Sequence, residues 1–147
     1  MSLAEKLCVT AAVVFFMTGL MTGIWKYACM ANSERATAPR YVDVAHRSSL
    51  LYSFAAVLLG WLAALSAFPD WLDALAAAAA LSFFALAIAT YIIHGWLRDT
   101  ANQLRKPHQL GRRDVPPALV TAFMAALIIA EVGGSAILGI GALITIW

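Results

Sequence analysis

LDALAAAAALSFFALAIA, residues 72–89, holds a single charged side chain, Asp73, near its start. It is the middle of an apolar segment running from Trp71 to Leu97, longer than the roughly 20 residues a helix needs to cross the hydrocarbon of a bilayer. Its alanines carry little chemistry and let neighbouring helices approach closely, so packing is the expected role. Three more apolar segments surround it: one from Leu7 to Trp25, one from Ser48 to Phe68, and one from Pro117 to Trp147. Unpaired backbone groups are not tolerated in lipid, and no alternating strand pattern is present. Helices are therefore expected over about 7–30, 48–68, 71–97 and 117–147. The expected fold class is all-α, an integral membrane antiparallel four-helix bundle forming a single domain over residues 1–147.

Composition agrees with that reading. A chain that is 63% hydrophobic and 12% charged, with mean hydropathy +0.81, has too little polar surface to coat a soluble globule of 147 residues. A formal charge of +2, with the basic residues confined to loops, excludes nucleic acid as a partner. Cys8 and Cys29 fall on the first helix, roughly 31 Å apart at 1.5 Å per residue and far beyond disulfide reach. The Cys/His spacing that zinc requires is missing. The first segment has one lysine before it and no small-residue cleavage site, so it is read as a retained helix rather than a signal peptide.

Nine of the ten basic residues lie in two connections, 26–47 and 98–116, and only Lys6 lies elsewhere. The positive-inside rule makes these two loops cytoplasmic and puts the termini and the tight FPDW turn, residues 68–71, outside, as in a bacterial-type inner (plasma) membrane. Trp25, Trp71, Trp96 and Trp147 fall near helix ends, where indole favours the membrane interface. Glycines at one-turn spacing, Gly19 and Gly23 in helix one and Gly134 in helix four, mark surfaces of close helix approach.

Polar residues concentrate toward the basic face. His46 and Arg47 stand just before the second apolar run, in YVDVAHRSSLLYSF, residues 41–54. Near the end of helix three, Tyr91, His94 and Arg98 follow helical spacing, so a polar stripe runs up an otherwise apolar helix. In an antiparallel arrangement His46 and Tyr52 share a depth range with Tyr91 and His94, and the end of helix one adds Trp25 and Tyr27. Such a cluster suits a flat, apolar cofactor held by a nitrogen ligand better than an aqueous ion path. Glu131 stands fourteen residues after Pro117, about 21 Å into helix four. A carboxyl group at that depth is costly and marks a buried pairing, a proton relay or a substrate contact.

Three stretches carry a family resemblance: GLMTGIW at 19–25, VAHRSSLLYSF at 44–54 and ATYIIHGW at 89–96, with 45 residues from His46 to Tyr91. In these the chain resembles the styrene oxide isomerases, small four-helix membrane enzymes. The resemblance implies a homotrimer with ferric haem b between protomers and His46 as axial iron ligand; Trp25, Arg47 and His94, at the same membrane face as His46, are expected to line the cofactor. It also implies a redox-neutral reaction. The epoxide oxygen is taken by ferric iron as a Lewis acid, the C–O bond opens toward a carbocation, and a 1,2-hydride shift gives an aldehyde. Tyr91 would position the epoxide or its developing oxyanion, with Tyr52 and Trp25 shielding the cation. The chain departs from the family where RSSLLY, residues 47–52, replaces its proline and asparagine, so that Tyr52 takes the asparagine's place. Arg47 and Glu131 have no counterpart there.

Other readings differ in coordination or chemistry. His46 and His94 together would make a bis-histidine b-type cytochrome, closed to substrate. The trimeric glutathione-linked membrane enzymes of eicosanoid metabolism share the size and topology, but their Arg, Asn and Glu signature is missing from helix two. A non-enzymatic membrane subunit or small transporter would use Glu131 and leave the His/Tyr cluster without a role.

Overall fold

The computed structural model describes all 147 residues, Met1–Trp147. Four helices dominate it: α1 Leu3–Ala31, α2 Arg40–Leu65, α3 Asp70–Leu97 and α4 Pro117–Ile146. Two short strands, β1 Gln109–Leu110 and β2 Arg113–Asp114, lie between α3 and α4. Each helix is long and apolar enough to cross a membrane, as a multi-pass membrane protein requires.

Local chemistry sets the helix ends. The Ser2 hydroxyl accepts from the Glu5 amide at 3.2 Å while the Glu5 carboxylate accepts from the Ser2 amide, a reciprocal cap that satisfies two donors. Pro39, Pro69 and Pro116 stand at the N-caps of the other three helices, where a ring-fixed φ leads extended chain into the first turn. α3 stops at Arg98, in the left-handed region at φ 51°, whose amide donates back to the His94 carbonyl at 2.9 Å.

α2 begins at Arg40, eight residues before the apolar run. Its first two turns carry Arg40, Asp43, His46 and Arg47 and fall outside any hydropathy window. Tyr41, Val42 and Ala45 nevertheless make a buried stripe at helical spacing, and their docking extends the helix. His46 therefore sits inside the second turn of α2 rather than at its threshold, and the connection from α1 is reduced to residues 32–39.

α2 and α3 each pack against all three other helices, with α1 and α4 at opposite corners. The core at their junction is built of small residues, among them Cys8, Ala56, Ala76 and Ala80, with Phe15, Leu59, Phe84 and Leu138 filling the spaces between. A Cβ at Gly134 would collide with the Ala76 carbonyl oxygen, so α4 meets the alanine run of α3 backbone to backbone. The FPDW turn is tied to α4 by the Ala67 amide, which donates to the Gly141 carbonyl at 3.0 Å. Only 29 of 147 residues are buried, and large apolar side chains such as Trp61, Leu75, Ile129 and Val132 point outward. That distribution is the one a lipid or subunit contact calls for.

The 98–116 connection is an ordered cap over the ends of α3 and α4. Its strands pair antiparallel, Gln109 with Asp114 and Leu110 with Arg113, around Gly111 at φ +63°. Strands of two residues leave no periodic trace in a sequence, and none is expected there from the pattern.

Candidate functional site

His46 is fixed from α1. Its Nδ1 lies 2.8 Å from the Gly19 carbonyl oxygen. A carbonyl has no proton to give, so Nδ1–H donates and Nε2 is left with a bare lone pair. A Cβ at Gly23 would fall 2.9 Å from Cε1 and 3.0 Å from Nδ1 of this ring, and only glycine lets the imidazole lie against α1. Gly19 and Gly23 thus serve packing within one chain. His46 is half-buried, and its Nε2 makes no hydrogen bond and is not sealed by packing. Just before it, Asp43 bridges the helices, pairing with Lys26 of α1 at 2.5 Å and with Arg47 at 3.6 Å. The Arg47 side chain is 71% exposed.

Trp25 lies on another side of α1, against Trp96 with ring centroids 6.3 Å apart. It lines an apolar groove of about 530 Å³ with Met17, Met21 and Ile92. Tyr27 is exposed.

His94 belongs to a second constellation. Its Nδ1 is 2.8 Å from Asp99 Oδ1, and Asp99 Oδ2 accepts from the Gly111 amide at 2.6 Å. Both side chains are buried, at 8% and 4% exposure. Burial pushes the Asp99 carboxyl up, but the Gly111 amide and the His94 ring together outweigh it and hold the group below its ordinary value. Tyr41 covers this pair. Its ring is 5.2 Å from that of His94 and stacks on Tyr91 at 6.0 Å, while its hydroxyl accepts from the Gln103 amide at 2.6 Å.

Tyr52 stacks on Phe84 at 4.3 Å with an interplanar angle of 16°. With Tyr91 it lies within electrostatic reach of Glu131, whose Oε1 is buried without a hydrogen-bond partner. The residues grouped by depth in the sequence thus separate around the bundle. His46 faces α1, Tyr52 packs on α3 within reach of Glu131 on α4, and no hydrogen bond or ring contact joins the two groups. His94 lies apart from His46, with its ring against Tyr41 and Asp99.

Tyr41, Asp99, Gly111 and His108 escaped the sequence reading. Tyr41 was hidden by the late start assigned to α2. Asp99 stands one residue past the αL cap of α3, a position from which its side chain turns back to His94. That geometry needs Arg98 at φ 51° and has no signature beyond the five-residue separation. Nitrogen ligands are available singly, at the Nε2 atoms of His46, His94 and His108, and no group of three or more metal-binding side chains converges. Comparison with known proteins gives no match: no family model, no curated protein and no solved structure is significantly similar to this chain.

Proposed function

We propose that this chain is an antiparallel four-helix bundle of a bacterial-type inner membrane, its basic segments 26–47 and 98–116 cytoplasmic and its termini outside. In this reading it binds haem b through His46 and isomerises small apolar or aryl epoxides to aldehydes without net redox change. The observation that supports it most is the state of His46. A ring held at Nδ1 by the Gly19 carbonyl, laid flat on Gly23 and half-exposed, offers a bare Nε2 in a fixed direction, as an axial ligand must. Ferric haem ligated there supplies a Lewis acid for the epoxide oxygen.

The remaining parts are the chain's own. Arg47, next to His46 in sequence and largely exposed beside Asp43, carries a guanidinium suited to the carboxylates at a haem edge. The groove beside Trp25 offers apolar walls to an aryl group. Tyr91 and Tyr52 carry hydroxyl donors for the opening oxygen, but they stack on Tyr41 and Phe84 and make no hydrogen bond or ring contact with His46. Completion of the site between copies, as a homotrimer, is part of this proposal. His94 lies apart from His46, with its ring against Tyr41 and Asp99, and this favours one histidine ligand over two.

The test is turnover. Haem-loaded protein in vesicles, given styrene oxide alone, is expected to release phenylacetaldehyde with no electron donor or acceptor present. Haem-loaded protein that leaves the epoxide unchanged sinks the isomerase reading. One observation favours a second reading, a small proton-linked transporter: the buried Glu131 oxygen without a hydrogen-bond partner. Glu131→Gln is expected to leave epoxide turnover within a few-fold of wild type, and proton-coupled flux abolished by that substitution would establish the transporter instead.

A further inference from the structure

A cavity of about 280 Å³ lies between the end of α3, the 98–116 cap and the first turns of α4, away from His46. His94 and His108 line it together with Leu104, Leu119, Phe123 and Met124. At a packing density of about 0.75 it takes roughly 200 Å³ of ligand atoms, a one- or two-ring compound. Phe123, itself packed on Phe83 at 5.7 Å, and Met124 present the flat, polarizable surfaces on which an aromatic ring rests.

The two imidazoles here have the same hydrogen-bonding sense, while the side chains of Gln103 and Gln109, which also line the cavity, can donate or accept. Asp99 accepts from the Gly111 amide on one oxygen and faces His94 Nδ1 with the other. In the neutral ring the proton is therefore on Nδ1, and Nε2 carries a lone pair. That nitrogen has no partner in the chain and is not sealed by packing. His108 repeats the arrangement, with Nδ1 on the Gln103 carbonyl at 3.3 Å and Nε2 bare. The Thr90 hydroxyl is spent on the Ala87 carbonyl at 2.8 Å. The two imidazole nitrogens facing the cavity are thus acceptors, that of His94 backed by a buried carboxylate, and apolar walls surround them. We infer that this cavity is a binding site for a phenolic compound of one or two rings, with His94 Nε2 accepting the ligand hydroxyl and Asp99 as the positioning residue that sets the imidazole tautomer. The site is independent of haem.

Asp99→Asn gives a test that a merely structural role does not pass. The one oxygen left is claimed by the Gly111 amide, so the new NH₂ faces His94 Nδ1, and the ring proton moves to Nε2. Full-length protein in lipid nanodiscs is titrated with 1-naphthol, a hydroxyl donor, and with 1-methoxynaphthalene, an acceptor of similar size, against empty nanodiscs. Wild type is expected to bind 1-naphthol at least tenfold more tightly than the ether. Asp99→Asn and His94→Phe are each expected to erase that preference. Equal affinities in wild type, no binding above empty nanodiscs, or a hydroxyl preference that survives Asp99→Asn overturns the site. Should Asp99→Asn fail to fold, a preference retained in His94→Phe overturns it equally.

Discussion

His46 of α2 donates through Nδ1 to the carbonyl oxygen of Gly19 on α1, at 2.8 Å across the helix interface. One contact fixes the ring plane, the tautomer and the direction of the free nitrogen. It depends on Gly23 one turn later, where a methyl group would meet the ring at 2.9 Å.

Gly23→Ala is therefore expected to displace the imidazole, costing about 1–3 kcal/mol as overpacking does, and to weaken haem binding together with stability. Gly139→Ala is the control, because nothing lies within 4 Å of a Cβ there. Thermal unfolding and haem titration of the two variants separate the cases. Equal behaviour shows that the Gly23 contact is not needed.

Asp99 makes stability depend on acid. The Gly111 amide and the His94 ring hold its folded-state pKa below the ordinary value against the opposing effect of burial, and an unfolded aspartate titrates near 3.9. A depressed folded value means stabilisation that is full above the unfolded pKa and lost as pH falls through the folded one. Between about pH 6 and pH 3 the melting temperature of wild type is expected to fall more steeply than that of Asp99→Asn. Parallel slopes contradict this assignment.

Tyr41→Phe keeps the stack on Tyr91 and His94 but removes the acceptor of the Gln103 amide. An unpaired, partly buried amide costs about 1–3 kcal/mol. Faster hydrogen exchange is expected at Gln103, with the centre of α3 unchanged. Unaltered exchange at Gln103 means that the cap is held by Asp99 and Gly111 alone.

Four apolar segments were legible because hydropathy reports a property summed over whole helices. Two features were not, for physical reasons. The first turns of α2 are held by tertiary docking of Tyr41, Val42 and Ala45, and their polar faces mask them in any running average. Depth along a helix is readable at 1.5 Å per residue, so His46, Tyr52, Tyr91 and His94 could be ranked by level. Azimuth depends on which helices become neighbours, and that divides the set among α1, α3 and the cap. The partner of His46, the Gly19 carbonyl 27 residues away in sequence, becomes visible only in the packed interface. The His94–Asp99–Gly111 arrangement similarly joins three residues through a left-handed cap and a hairpin too short to leave a pattern.

The most direct measurement is the ultraviolet-visible spectrum of the purified protein, expressed with haem supplied, beside that of His46→Ala and His94→Ala. The expected result is a Soret band in wild type and His94→Ala that collapses in His46→Ala. A colourless wild type, or a band that survives His46→Ala, contradicts the assignment of His46 as the haem ligand.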